Sequence, residues 1–94
     1  MDGLPIEDIL RVAKDAGARD VRVFGSRARG DARQDSDLDL LMSFPRGTTL
    51  FDIAGLRLDL EELLEIKVEI FTEGSLHPLL KDQILAEARS LIAA

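Results

Sequence analysis

The stretch from Gly25 to Phe44, GSRARGDARQDSDLDLLMSF, limits what this chain can fold into more than any other. A short apolar run, Val21 to Phe24, leads into Gly25-Ser26, and a second begins at Asp37-Leu38-Asp39. Successive side chains on a strand point to opposite faces. Asp37 and Asp39 therefore share one face, while Leu38, Leu40 and Met42 share the other. The apolar face belongs on a core. The carboxylate face must meet solvent, a cation or a ligand, because like charges this close repel each other. A divalent cation between the two acids makes most sense of holding them on a stiff strand.

The whole chain has 94 residues, 46% of them hydrophobic and 32% charged, which suits one small soluble domain spanning residues 1–94. With no cysteine, disulfides and thiolate metal sites are excluded. The N-terminus, MDGLPIEDIL, carries acids where a secretory signal carries Lys or Arg, and no apolar run reaches membrane-spanning length. A cytoplasmic, non-membrane protein is expected. A net charge of -6 argues against direct nucleic-acid binding, whose footprint is basic. Yet Arg19, Arg22, Arg27, Arg29 and Arg33 gather just before the aspartates. Such a segment could receive a polyphosphate held elsewhere by metal, although a surface ion-pair web accounts for each Arg equally well.

Ile6, Ile9, Leu10 and Ala13 follow helical spacing, with Pro5 suited to the first turn and Gly17 to the stop. Val21 and Val23 alternate with Arg22 in a first strand, Gly25-Ser26 breaks it, and Arg27 to Gly30 reads as a short helical turn. Gly30 to Ser36 is loop-like. Leu38 to Phe44 is the second strand, ended by Pro45-Arg46-Gly47. Thr49 and Asp52 resemble a capping box ahead of a long helix. Its inward stripe is expected to be Phe51, Ala54, Leu58 and Leu63, with Asp59, Glu62 and Glu65 outside. Lys67 to Thr72 is a third strand, with Val68 and Ile70 on one side and Lys67, Glu69 and Phe71 on the other. Glu73-Gly74-Ser75 is a turn, and Pro78 starts a last helix with Leu80, Ile84, Ala88 and Leu91 inward. The order is α-β-β-α-β-α. The irregular link between the first two strands favours antiparallel pairing, and the helical link to the third favours a parallel crossover. The expected class is α/β (α+β), a small mixed sheet flanked by helices.

Several familiar motifs fail on inspection. Gly25 and Gly30 have Walker A spacing, but Asp31 stands where its Lys belongs. Asp35, Asp37 and Asp39 open like an EF-hand loop, but Leu40 and Arg46 occupy the Gly and Glu positions. Arg29-Gly30-Asp31 is a chance tripeptide, and His77 beside Pro78 reads as a turn or cap residue. Ser26 lacks the surroundings of a hydrolase nucleophile.

What remains is a strand, Gly-Ser, a short turn, a spacer, Ser-Asp-Leu-Asp on a second strand and an acid on a third. This combination resembles the nucleotidyltransferases of the DNA polymerase beta superfamily, and more closely the minimal nucleotidyltransferases encoded beside HEPN-domain partners. The tail, VEIFTEGSLHPLLKDQILAEA, fits the same group, so the resemblance covers nearly the whole chain. It implies a polymerase-beta-like fold and transfer of AMP from ATP to a hydroxyl, with tyrosine the suggested acceptor. The acceptor protein would be a cognate HEPN toxin, which the chain would silence as its antitoxin. It also implies two magnesium ions, or manganese, held by Asp37, Asp39 and Glu69, the catalytic set. Gly25, Ser26, Arg27 and Ser36 would bind the nucleotide, while Arg29 and Asp31 brace the loop. Glu69 departs from the pattern, since many relatives carry Asp there. Two alternatives stay open: a non-catalytic antitoxin acting by contact, and a small-molecule nucleotidyltransferase of the aminoglycoside-modifying kind. Self-association is not fixed by the sequence.

Overall fold

The computed structural model describes residues 4–33 and 35–92 of the protein. Helix α1, Ile6–Asp15, begins after Pro5 at the cap position and buries Ile9 and Ala13. Glu7 and Asp8 lie in its first turn and Lys14 in its last, the charge order that complements the helix dipole. Strand β1, Arg19–Phe24, follows, and then helix α2, a single turn at Ser26–Arg29. Gln34, in the loop expected from Gly30 to Ser36, lies outside the described residues. Strand β2 is Leu38–Ser43, helix α3 Leu50–Leu64 and strand β3 Val68–Phe71. A 3-10 turn at Glu73–Ser75, helix α4 at Pro78–Glu87 and strand β4 at Arg89–Ser90 complete the described chain.

The strands form one mixed sheet in the order β3-β2-β1-β4. Strand β1 runs antiparallel to both β2 and β4, and β2 runs parallel to β3, which matches the pairings expected from the links. One sheet face buries Val21, Val23, Leu38, Leu40 and Val68 with Ile9 of α1 and Leu56 and Leu60 of α3. The opposite face carries Phe24 and Leu41, with Leu76, Phe71 and the α4 residues Ile84 and Leu85 packed against them. Phe24 and Phe71 meet edge to face across that second cluster, at 5.4 Å between ring centres.

Two expectations are corrected. The capping box of α3 is present, with Thr49 and Asp52 bonded reciprocally, but the inward stripe is out of phase. Leu56 and Leu60 are buried, whereas Phe51 is 89% and Leu58 56% exposed. Apolar residues occur almost all round this helix, so period alone could not choose a face. Ile53, Leu56, Leu60 and Leu64 give an unbroken i, i+3, i+7, i+11 line, while continuing the expected stripe past Leu58 meets Glu61 and Glu62. The other correction is at the end of the chain. Helix α4 stops at Glu87, Leu80 is 50% exposed, and Leu91 reaches the core from beyond the helix. There Arg89 and Ser90 pair with Val23 and Arg22, and the Leu91 amide donates to Val21 O at 2.9 Å. A two-residue strand is too short to show alternation, yet it covers an otherwise open edge of β1. Among the described residues no helix is long and apolar enough to cross a membrane.

Candidate active site

The parallel register of β2 and β3 sets Asp39 beside Glu69 and Leu38 beside Val68. Neighbouring strands lie about 4.8 Å apart, and paired residues project to the same face. Asp39 and Glu69 therefore stand side by side on the α4 face, away from the main core. Asp37 lies two residues before Asp39, at the mouth of β2, where the Leu38 amide donates to Lys67 O at 2.9 Å. The start of β3 is fixed from another direction: Glu61 of α3 accepts the Val68 amide at 2.9 Å while paired with Arg57 at 3.1 Å.

The carboxylates feel one another. Burial first, then the charges of Asp37 and Glu69, push the Asp39 pKa above its ordinary value, and Arg29 and Lys67 only partly offset this. Lys67 pairs with Glu69 at 3.4 Å. Among the described residues no three acids, histidines or cysteines are already gathered closely enough to hold one ion. The acids share a face, but the Glu69 side chain is drawn toward Lys67. The donor set itself, hard carboxylate oxygens around a charge that is costly to form, suits a hard divalent cation.

Gly25 joins this cluster from the antiparallel side, since Phe24 is the register partner of Asp39. Its backbone sits at φ 76, ψ -156, a region only glycine adopts readily, and a Cβ there would stand 2.5 Å from Asp39 Oδ2. The Gly-Ser turn and the acid pair thus touch in space. Ser26 opens α2, and its carbonyl accepts from the amides of Gly30 and Asp31 as the turn closes.

Arg27 and Ser36, both expected to bind the nucleotide, are bonded to each other. Arg27 is only 5% exposed and donates from Nε and Nη2 to Ser36 O at 3.2 and 2.8 Å. Ser36 Oγ in turn accepts the Arg33 amide at 2.7 Å. Both residues hold the loop against α2. Arg29 pairs with Asp31 at 3.3 Å, in keeping with a bracing role, and with Glu87 at 2.9 Å. Arg22 pairs with Asp20 and Glu73. Much of the arginine cluster is therefore engaged within the protein. Glu87 is a neighbour of the Gly25-Ser26 turn that sequence reasoning missed. Its carboxylate also accepts the Gly25 amide, 62 residues earlier, and no local pattern could have announced a contact across that separation.

The family model for the nucleotidyltransferase domain matches residues 6–91. The chain belongs to the nucleotidyltransferase domain family. Within it, this nucleotidyltransferase is 41% identical over 80 residues to a provisionally named protein adenylyltransferase of Methanocaldococcus jannaschii, covering 85% of the chain and 86% of the relative. It is 36% identical over 87 residues to the protein adenylyltransferase MntA of Thermococcus cleftensis, covering 87% and 88%. Among solved structures it is similar to a provisionally described minimal nucleotidyltransferase, with TM-score 0.78, 52% identity and 89% and 86% coverage. More distant structures share the fold alone. One is a toxin-antitoxin with AMP-PNP, at TM-score 0.82, 19% identity and coverage of 97% and 75%. Another is a tri-AMPylated Shewanella oneidensis HEPN toxin with an MNT antitoxin, at TM-score 0.74, 18% identity and coverage of 100% and 74%.

Proposed function

We propose that this nucleotidyltransferase moves AMP from ATP to a hydroxyl of a HEPN-domain toxin, tyrosine being the expected acceptor, and so acts as its antitoxin. The observation that carries this reading is the in-register pair Asp39 and Glu69, with Asp37 beside it and Gly25 packed against Asp39. Relatives named protein adenylyltransferases support it, as do fold neighbours holding AMP-PNP and an AMPylated HEPN toxin.

In the step itself the acceptor oxygen attacks the α-phosphorus, the bond to the β-phosphate oxygen breaks, pyrophosphate leaves and the hydroxyl proton is lost. Asp37 and Asp39 would hold two magnesium ions, or manganese, and Glu69 would complete the shell on the acceptor side. Such a pair supplies charge neutralisation for both the attacking and the leaving oxygens. Taking part would draw Glu69 away from Lys67, its present partner at 3.4 Å. Gly25 lets the backbone approach the triphosphate, and Ser26 offers its hydroxyl and amide. Arg27 and Ser36 serve that same turn indirectly, by fixing its loop.

Incubation with the HEPN partner, labelled ATP and magnesium should add one or more AMP units to the partner's mass, and Asp39→Asn should abolish the gain. Label that persists in Asp39→Asn would sink the assignment of Asp39. The Lys67–Glu69 pair favours one second reading, an antitoxin that acts by contact alone. That reading requires Asp37→Asn and Asp39→Asn to neutralise the toxin as well as the parent chain does.

A further inference from the structure

The Gly25-Ser26 turn is held from the far end of the described chain. Glu87, the last residue of α4, sets its Oε1 3.0 Å from the Gly25 amide nitrogen and 2.9 Å from Arg29 Nη1. Helix α4 does not need an acid there. It packs through Ile84 and Leu85, and a carboxylate at a helix C-terminus faces the negative end of the dipole. The Glu87 side chain is only 19% exposed, so both bonds form partly shielded from water, where they are stronger. Its placement is accounted for by its partners.

We propose that Glu87 is a positioning residue for nucleotide binding, fixing the Gly25 peptide and Arg29 so that the turn keeps the shape that receives the triphosphate. This rests on the nucleotidyl-transfer reading above. A glycine at φ 76 has no side chain to restrict it, and an acceptor on its amide supplies the missing restraint. The pairing with Arg29 also offsets the Glu87 charge, which would otherwise repel a phosphate nearby.

The test compares the full-length wild type, Glu87→Gln and Glu87→Ala. Each is assayed for magnesium-ATP affinity, for initial transfer rates to the acceptor protein across ATP concentrations, and for melting temperature. Gln keeps the shape and an acceptor for the Gly25 amide, whereas Ala keeps neither. ATP affinity should weaken and KM rise by at least about tenfold in Glu87→Ala, the lower end for losing a bond to a charged group, and by less in Glu87→Gln. With kcat at saturating ATP nearly unchanged, the loss would be one of binding. Unchanged ATP affinity in both variants overturns the proposal. So does a weakening that only tracks a falling melting temperature, since the contact would then be purely structural. If Glu87→Ala does not fold, Glu87→Gln decides alone: weakened ATP binding at an unaltered melting temperature supports the proposal, and wild-type affinity overturns it. A wild type that binds ATP yet transfers nothing counts against the transfer reading only, and the three affinities still judge Glu87. A wild type that binds no ATP sinks both.

Discussion

Asp39 carries the cost of the site. Burial and two neighbouring carboxylates raise its pKa, so the folded chain holds that proton more tightly than the unfolded chain does. The stability this confers is complete below the ordinary value of 3.8 and is lost as pH rises through the folded value. At neutral pH the ionised group therefore works against folding. Asp39→Asn should raise the melting temperature at pH 7 and raise it clearly less near pH 4, as thermal melts at the two pH values would show. An equal gain at both would mean that charge is not the cause. Gly25 makes the complementary case. Gly25→Ala meets both the φ 76 backbone and Asp39 Oδ2, and should cost about 1–3 kcal/mol of stability together with most nucleotide affinity. Gly30→Ala meets the backbone term alone, because nothing lies within 4 Å of its added methyl. It should cost about 1–2 kcal/mol and leave nucleotide affinity intact. Melting curves and ATP titrations of the two variants separate strain from collision.

At the scale of elements, α3 shows what period can and cannot decide. Its start was legible because a capping box is a local arrangement, and Thr49 and Asp52 form it. Its inward face was not, because a helix with apolar residues on nearly every side offers several stripes and only the sheet selects among them. The same division runs through the rest of the chain. The pairings β1–β2 and β2–β3 followed from the kind of link between strands, and they put Asp39 beside Glu69. Strand β4 and the reach of Glu87 to Gly25 depend on where distant segments close together, which no local pattern encodes. The partner of Arg27 is hidden for a related reason: an Arg beside a phosphate-type turn looks available until the loop supplies Ser36 O as an acceptor. The corrected face of α3 is directly testable. Leu60→Ala removes a fully buried side chain and should cost about 2–5 kcal/mol. Phe51→Ser, at a residue 89% exposed, should change stability by no more than about 0.5 kcal/mol. Urea unfolding of the pair measures the contrast, and a larger loss in Phe51→Ser would restore the original stripe.

Over the whole molecule the charge has the wrong sign for the proposed donor. The chain carries a net -6, and magnesium-ATP is itself an anion. Before metal binds, the local balance is no better. Asp37, Asp39 and Glu69 share the site with Arg29 and Lys67, and Arg29 is already paired with Asp31 and Glu87. The molecule measures 35 × 31 × 26 Å. At an ionic strength of about 0.01 M the screening length is roughly 30 Å, so an approaching nucleotide feels the entire negative chain. At about 0.1 M it shortens to roughly 10 Å, and only the immediate site counts. Moderate salt should then relieve repulsion, and the KM for ATP at fixed saturating magnesium should fall across that range. A basic phosphate groove would show the reverse, because salt weakens attraction. The direction of the salt effect thus asks which groups receive the triphosphate. A KM that falls fits metal held by the acids, with Arg22, Arg27 and Arg29 committed to the fold. A KM that climbs would return Arg19, Arg22, Arg27, Arg29 and Arg33 to the role of a polyphosphate cradle, and Arg27 would have to leave Ser36 to join it.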